Sequence, residues 1–335
     1  MNNFKKIGLT ALAASLVSVS AHAGEMSVSG GASLNASGFS GEGNNEGTSF
    51  TMGNQLTFTG GGELDNGVNV SLSFVIDQGD DTADAAGTSP FDSHSITIST
   101  DSLGSLKFAG EGGGSVTASH GTAAGGLWDT FDQENFTTSA GNALIGDLLS
   151  THSGGDDSFF YTSPELMSGL VGVVSYNPKS TDKRESEKGW GVNYTGIEGL
   201  TINYATQDVE GASNDASGDA EVYKAAYVYG SLTATVSYHE TDLANTTNAD
   251  TSAQSYALSY TVTDDLSITY GVEEHDQAAN TTASHDDPSL DRISASYTAG
   301  GMTLTGNITN GDNLTRTSAT NGDQQAWTLG ASFAF

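Results

Sequence analysis

The stretch at positions 324–335, QQAWTLGASFAF, alternates between two kinds of side chain. Every second residue from Trp327 to Phe335 is apolar or aromatic, and the residues between them are small or weakly polar. Successive side chains of a β-strand point to opposite faces, so this pattern predicts a strand with one apolar face. Such a face either packs on the core of a soluble sheet or faces lipid, and the rest of the sequence discriminates between these environments.

The same alternation recurs along the chain after Gly24, for example from Val68 to Ile76 and from Leu266 to Val272. It predicts about 16 strands, most of them near the roughly 9–11 residues that a tilted membrane strand needs. The predicted strands cover 25–39, 49–61, 68–77, 93–100, 105–111, 157–163, 169–177, 188–195, 199–208, 221–229, 231–240, 252–262, 266–275, 290–298, 301–309 and 325–335.

The connections between these strands alternate in length. Tight turns such as GIEG at 196–199 follow every second strand, and the connections between them are long, polar and acidic. Short turns at one end and long loops at the other are typical of an up-and-down membrane barrel. A soluble sandwich with Greek-key crossovers has no reason to sort its loops in this way.

The composition of the two strand faces supports the same fold. The polar face is small and rich in hydroxyl groups, with few Lys or Glu residues, whereas the outer face of a soluble protein carries mixed charges. Small polar side chains suit a water-filled lumen. The predicted fold is therefore all-β: a transmembrane 16-stranded antiparallel up-and-down β-barrel, closed by pairing of 325–335 with 25–39.

The first 23 residues have the pattern of a secretory signal peptide. Lys5 and Lys6 precede an apolar stretch at 7–20, and the small-residue cleavage site Ala21-His22-Ala23 follows. This segment is too short for a spanning helix and has the wrong flanks. We therefore expect residues 1–23 to be removed on export, leaving one barrel domain at 24–335.

Composition excludes several classes of function. The formal net charge is −31, with 10 basic and 41 acidic residues, so nucleic acid is not expected as a partner. Cysteine is absent, so no disulfide framework stabilises the chain. The sequence contains no G-x-S-x-G, H-E-x-x-H or P-loop motif, and we interpret His94, His120 and His152 as polar loop residues. An enzymatic function is therefore not expected.

The insertion at 112–156 is the longest connection in the chain. It carries apolar anchors, including Leu127, Trp128 and Leu148, that a solvated outer loop would not need. A loop of this length inside a compact domain is either functional or disordered, and its aromatic and Leu residues argue against disorder.

The chain resembles the general diffusion porins of Gram-negative bacteria, of the alphaproteobacterial type. The resemblance rests on the 16 strands, the insertion after strand five and the segment SFFYTSPELMSGLVGVVSYNP at 158–178. It implies a homotrimer in the outer membrane, in contact with lipid and lipopolysaccharide. It also implies that the 112–156 loop folds into the lumen and narrows it, and that Phe335 is the terminal aromatic that the outer-membrane assembly machinery recognises.

The resemblance also suggests which residues line the narrow part of the channel. It implies an acidic edge on the loop side and a basic cluster on the wall, and strand parity points three basic side chains inward. The acidic candidates are Glu111, Asp129, Asp132, Glu134 and Asp147, and the basic candidates are Lys107, Lys224 and Arg292. Three basic residues are fewer than this family usually places there, so we expect a channel for ions and small hydrophilic solutes with a mild preference for cations.

Other interpretations remain open at this point. The loop aromatics Trp128, Phe131 and Phe136 could stack on a particular solute, which would make the barrel a substrate-specific channel. A non-conducting secreted β adhesin is a different class of protein, and an outer-membrane hydrolase is disfavoured by the missing nucleophile motifs. No cofactor is expected, although a Ca²⁺ ion bound by Asp80, Asp81 and Asp84 is an alternative to plain solvation of that loop.

Overall fold

The computed structural model describes residues 26–41, 47–77, 91–120, 124, 156–178, 186–209, 218–243, 251–277, 287–314 and 322–335. These residues form sixteen strands and one short helix. Among them, no helix is long and apolar enough to cross a bilayer. The predicted signal peptide, residues 1–23, lies outside the described residues and stays a prediction.

The strands lie within three residues of the predicted boundaries. They are β1 (Ser27–Gly41), β2 (Gly47–Glu63), β3 (Asn69–Asp77), β4 (Ser93–Thr100), β5 (Gly104–Glu111), β6 (Ser158–Thr162), β7 (Leu170–Asn177), β8 (Glu187–Ile197), β9 (Leu200–Val209), β10 (Gly218–Tyr229), β11 (Leu232–Leu243), β12 (Thr251–Thr263), β13 (Leu266–Gln277), β14 (Ser289–Ala299), β15 (Met302–Asp312) and β16 (Gln324–Ala334). The helix is α1 (Val116–Ser119).

The sixteen strands form one closed antiparallel barrel in which each strand pairs with its neighbours in sequence. The last strand closes the ring by pairing with the first, from Gly31 opposite Ala334 to Gly41 opposite Gln324. The predicted fold class is therefore confirmed. Closure gives every strand a partner on both sides, so no unpaired backbone edge remains for lipid to contact.

The connections are sorted by length between the two ends of the barrel. Residues 198–199 join β8 to β9 and residues 230–231 join β10 to β11, whereas the connections at the other end include 78–92 and 112–157. Gly199 occupies the first of these turns with a φ of 75°. A side chain is strained in that conformation, so glycine suits this tight turn.

The outer face of the barrel is apolar and exposed. Leu34 pairs with Met52 and Ala331, and the side chains of Leu34 and Met52 are 54% and 66% exposed. Trp190, Leu258 and Leu329 are similarly exposed on other strands. Water would solvate so many large apolar side chains poorly, so the outer face fits a hydrocarbon environment.

The seam between β1 and β16 is held by backbone bonds and one close side-chain approach. The Gly30 N–H donates to the Phe335 carbonyl at 2.7 Å, and the Phe335 N–H donates to the Gly30 carbonyl at 2.9 Å. The Phe335 ring lies directly over Gly30, where a Cβ would overlap it. The recognition of Phe335 by the assembly machinery remains a prediction.

Candidate functional site

The inner face of the barrel is lined by small and hydroxyl-bearing side chains. In β1, the inward residues Ser33 and Asn35 alternate with outward Leu34, and Ser33 pairs with Ser332 of β16. On β12 and β13, Ser259 and Thr269 form a hydroxyl–hydroxyl hydrogen bond of 2.7 Å. Such side chains leave room for water and offer it hydrogen bonds, as the interior of a channel requires.

The strand register places the three predicted basic residues on the inner face. Lys107 lies opposite Phe160, Lys224 lies opposite Asn203 and Ser237, and Arg292 lies opposite Gly271 and Thr309. The Nε of Arg292 donates to Thr309 Oγ1 at 2.8 Å, and Lys224 is half-buried. The three residues belong to β5, β10 and β14, so they are spread around the wall rather than gathered in one cluster.

The described beginning of the 112–156 insertion turns onto the inner wall. Ser115 is the N-cap residue immediately before helix α1, and its hydroxyl oxygen accepts a hydrogen bond from the Ala118 N–H at 3.1 Å. The helix contacts β7, β8, β9 and β10. Its partners on β7, Val173 and Ser175, alternate with the outward Val174, so α1 lies on the luminal side.

Apolar packing holds one side of α1 against the wall. Val116 is fully buried and forms a cluster with Val173 and Ala205, on which Phe160 also packs. Glycine at position 189 makes this approach possible, because a Cβ there would overlap the Val116 side chain. The small residues Gly189 of β8 and Ala205 of β9 thus form a shallow seat for the helix, a depression in the wall into which Val116 packs.

Polar contacts hold the same helix in register. The Val116 N–H donates to Ser175 Oγ at 3.1 Å, and the Thr117 hydroxyl donates to Gln207 Oε1 at 2.5 Å. The Thr117 N–H donates to the same Gln207 oxygen at 3.4 Å. All of these groups are buried, so each hydrogen bond would leave an unsatisfied polar atom if α1 moved away.

His120 ends the helix and is 4% exposed. Its Nδ1 lies 2.8 Å from the Val116 carbonyl oxygen and 3.0 Å from the Ser119 hydroxyl oxygen. Burial lowers the pKa of His120 below its ordinary 6.5, although hydrogen bonding by the Val116 carbonyl, Asn193 and the Val192 backbone partly opposes that effect. The net direction shows that burial of the ring outweighs these hydrogen bonds.

A further contact shows how far the described part of the insertion reaches. The Ala124 N–H donates to Ser255 Oγ on β12 at 2.5 Å. Because the insertion starts after β5, this contact lies seven strands away around a sixteen-stranded ring. The described residues 112–120 and 124 therefore follow the inner wall from one side of the lumen towards the other.

The structure describes one of the five predicted acidic residues. Glu111 ends β5, where a register shift sets it opposite His94, and its Oε2 lies 3.6 Å from His94 Nδ1. Asp129, Asp132, Glu134 and Asp147 lie outside the described residues, so their position at a constriction stays a prediction, as does that of Glu111.

Sequence reasoning missed a buried polar patch on the inner wall. Glu273 and His275 of β13 are fully buried, with His275 Nε2 2.5 Å from Glu273 Oε1. His239 of β11 is also buried, and Ala253 of β12 pairs with both His239 and His275. The signal was present, because these residues alternate with the outward Val272 and Glu274. Glu187 of β8 is a further luminal carboxylate that the same parity predicts.

No group of three or more His, Asp or Glu residues in the described ranges is arranged to hold a metal ion. Asp80, Asp81 and Asp84, the alternative Ca²⁺ ligands, lie outside those ranges. The Ca²⁺ alternative therefore stays a prediction.

Comparison with known proteins places this barrel in a family. A family model described as Gram-negative porin matches residues 8–335, which is nearly the whole chain. The chain belongs to the Gram-negative porins. Family and fold together identify this porin as an outer-membrane diffusion channel. No curated protein matches the porin.

Solved structures share the fold of this porin at low sequence identity. A porin refined at 1.8 Å resolution is 18% identical, with a TM-score of 0.65 over 93% of this chain and 100% of the other. An anion-selective porin from Comamonas acidovorans is 15% identical, with a TM-score of 0.65 over 93% and 99%. OmpT of Vibrio cholerae, lacking its loop L8, is 16% identical, with a TM-score of 0.66 over 93% and 100%. At these identities the likeness establishes the fold alone.

Proposed function

We propose that this porin forms a water-filled channel for the passive diffusion of ions and small hydrophilic solutes, with a mild preference for cations, and that it works as a homotrimer. The observation that carries the channel function is the closed barrel with an apolar outer face and a hydroxyl-rich inner face. Water and small solutes can cross inside such a wall without meeting hydrocarbon.

The balance of charges supports the cation preference. The luminal face of the described strands carries three basic residues, Lys107, Lys224 and Arg292, and four carboxylates. These carboxylates belong to Glu63, Asp77, Glu187 and Glu273. The 112–156 insertion adds acidic residues and no basic ones, and the whole chain carries a net charge of −31. An excess of negative charge along a narrow pore attracts cations and repels anions.

Similar barrels do not all share one selectivity. The protein from Comamonas acidovorans, which has this fold, is described as anion-selective. Selectivity therefore has to follow from the side chains that line the lumen, and the measurement has to be made on this chain.

The channel is tested by reconstituting the purified porin in a planar bilayer across a KCl gradient. We expect stepwise conductance and a reversal potential directed towards the cation equilibrium. An anion-directed potential would refute the cation preference and keep the channel. Folded, inserted protein without conductance steps would refute the channel function. Liposome swelling with solutes of equal size and different chemistry tests the substrate-specific alternative, which predicts one solute that enters much faster than the others.

The distribution of tyrosine on the outer face supports the homotrimer. All twelve tyrosines lie on β6 to β14 and face outward, whereas the outer faces of β15, β16 and β1 to β5 carry none. Tyrosine is favoured where a lipid-facing surface meets water. Tyr204 and Tyr223 donate their hydroxyls to Glu221 at 3.2 and 2.6 Å, so both phenol groups lie at the level of an outward-facing carboxylate. The tyrosine-free sector is therefore the side that neighbouring subunits would cover.

The chain has no cysteine, so a thiol introduced by substitution is a unique site for a photo-crosslinker. Photo-crosslinking from different positions on the outer face therefore tests which sector contacts a neighbouring subunit. Met52→Cys places a thiol on the outer face of β2, and Leu258→Cys places one on the outer face of β12. With a benzophenone attached to the thiol, we expect subunit–subunit products from Met52→Cys and none from the matched Leu258→Cys control. Equal products from both positions, or none from either, would contradict the assigned contact sector.

A further inference from the structure

The outer face of β9 to β12 carries a groove between tyrosine side chains. Its floor is Ala225 of β10, which pairs with Ile202 of β9 and Val236 of β11. The groove has a volume of about 560 Å³, within the range of roughly 300–1,000 Å³ that ligand sites usually have. Four tyrosines surround this floor and define what we call the tyrosine groove: Tyr204, Tyr223, Tyr238 and Tyr256.

Carboxylates lie at the hydroxyl ends of these tyrosines. Tyr204 and Tyr223 donate to Glu221, and Tyr238 donates to Glu240 at 3.2 Å. The strand register sets Glu221 directly opposite Glu240 on the same face. Like charges in directly opposite positions destabilise a sheet, so a cation between these two carboxylates would relieve their repulsion.

The outer face remains anionic beyond this pair. Two residues closer to the long loops, Asp219 lies opposite both Asp208 and Asp242. Lys188 of β8 is the one basic side chain that faces outward within the described strands. An anionic head group is therefore repelled from this end of the groove, whereas a cationic one is attracted to it.

We propose that the tyrosine groove binds a membrane lipid whose head group carries a primary ammonium. One acyl chain lies over Ala225, and the ammonium lies between Glu221 and Glu240. A carboxylate has about four acceptor positions, so each one can accept ammonium N–H groups in addition to the tyrosine hydroxyls. The tyrosine rings add cation–π attraction. This inference goes beyond the channel function and does not depend on it.

The shape of the site favours such a lipid over a metal ion or a soluble amine. Within the described ranges, no three His, Asp or Glu residues are arranged to hold a metal ion. An ammonium needs only hydrogen-bond acceptors and aromatic rings, and the groove provides both. The apolar floor at Ala225, Ile202 and Val236 gives a soluble amine nothing to bind, whereas an acyl chain fills it.

Trp190 provides a fluorescent probe of the groove, because its ring centroid lies 5.4 Å from that of Tyr204. Trp128→Phe with Trp327→Phe leaves Trp190 as the only tryptophan of the chain. The porin is reconstituted in phosphatidylglycerol vesicles with a minor fraction of lipid brominated on its acyl chains, either phosphatidylethanolamine or phosphatidylglycerol. From the quenching, we expect brominated phosphatidylethanolamine to be enriched about tenfold at Trp190, the factor that one charge-assisted hydrogen bond provides.

Two pairs of variants separate the head-group contact from the acyl-chain contact. Glu221→Gln with Glu240→Gln should abolish the preference for phosphatidylethanolamine, because the neutral amides do not attract a cation. The matched control removes the same charge from the outer faces of β14 and β15 and should keep the preference: Asp291→Asn with Asp312→Asn. Ala225→Leu fills the floor and should reduce quenching by phosphatidylethanolamine, whereas Ala295→Leu on the outer face of β14 should not.

The outcomes that overturn the proposal differ from those that overturn the channel. Equal quenching by the two brominated lipids would refute ammonium recognition, as would a preference that survives Glu221→Gln with Glu240→Gln. Subunit crosslinks from Leu258→Cys on β12 would show that a second copy covers the groove, and would also refute it. If the tryptophan variants do not fold, native mass spectrometry of the wild type from an equal mixture of the two lipids decides, because retained phosphatidylethanolamine supports the site and equal retention refutes it. Absence of conductance contradicts the channel and leaves the lipid site standing.

Discussion

Replacing Gln207 by Leu should loosen α1 from the wall without opening the barrel. Gln207 Oε1 accepts two hydrogen bonds from Thr117, at 2.5 Å from the hydroxyl and 3.4 Å from the N–H, and both residues are almost completely buried. Leu has a similar volume but accepts nothing, so two buried donors lose this partner. The strand hydrogen bonds of β9 involve the backbone and remain.

The magnitude follows from the cost of leaving buried donors unsatisfied. One such group costs about 1–3 kcal/mol, and the longer 3.4 Å contact contributes less than the short one. We therefore expect the docking of α1 to weaken by about 2 kcal/mol, which multiplies the undocked fraction by about 30.

Single-channel recordings at neutral pH report the undocked fraction of α1. A helix that leaves the wall enters the lumen, so we expect each undocking event to reduce the current briefly. Gln55→Leu is a matched control, because Gln55 lies exposed on the luminal face of β2, remote from α1. Both variants should show the gel mobility of a folded barrel before heating. Recordings of Gln207→Leu that cannot be distinguished from those of Gln55→Leu would refute the idea that these hydrogen bonds position α1.

Two further variants test the lumen and the seam. Lys224→Gln removes one positive charge from the wall. A charge about 10 Å from the ion path in water changes the energy of a cation and of an anion by about 0.4 kcal/mol in opposite directions, so the cation-to-anion permeability ratio should rise by up to about fourfold; the outward Lys188→Gln should not change the ratio. An equal shift of the reversal potential in both variants would argue against a luminal Lys224. Gly38→Ala introduces a Cβ that overlaps the Trp327 ring beside the seam, whereas Gly306→Ala meets Leu329 at an ordinary 3.8 Å. The first should cost about 1–3 kcal/mol and lower the temperature at which the barrel unfolds on a gel, while the second should leave it unchanged; the reverse order would contradict the close packing at the seam.

The fold could be predicted from sequence because alternation is a local property. The two faces of each strand can be read from the alternation of its own residues, and the alternation of short and long connections indicates that consecutive strands pair. The predicted and observed strand ends differ most where the apolar alternation stops but the backbone hydrogen bonding between strands continues. β10, for example, begins at Gly218, with Gly218 and Asp219 already paired to both neighbouring strands.

The site could be predicted only in part, because its contacts join distant segments. Strand parity alone was enough to point Lys224 and Arg292 inward. The seat of α1 depends on Gly189 and Gln207, far along the chain from Val116, and no local pattern links them. The register shift that sets Glu111 opposite His94 is likewise a property of two paired strands, not of either sequence alone.

The pairing of β1 with β16 sets a constraint on the order of folding. Most neighbouring strands are hairpins whose paired residues lie close in sequence, but Gly31 and Ala334 are about 300 residues apart. Bringing the ends of so long a flexible segment together costs about 5 kcal/mol of chain entropy, against about 3 kcal/mol for a 20-residue hairpin. Pairing of β1 with β16 becomes favourable only after the intervening strands have formed. We therefore expect the barrel to fold as a growing sheet with two exposed edges, and the pairing of those edges to come last.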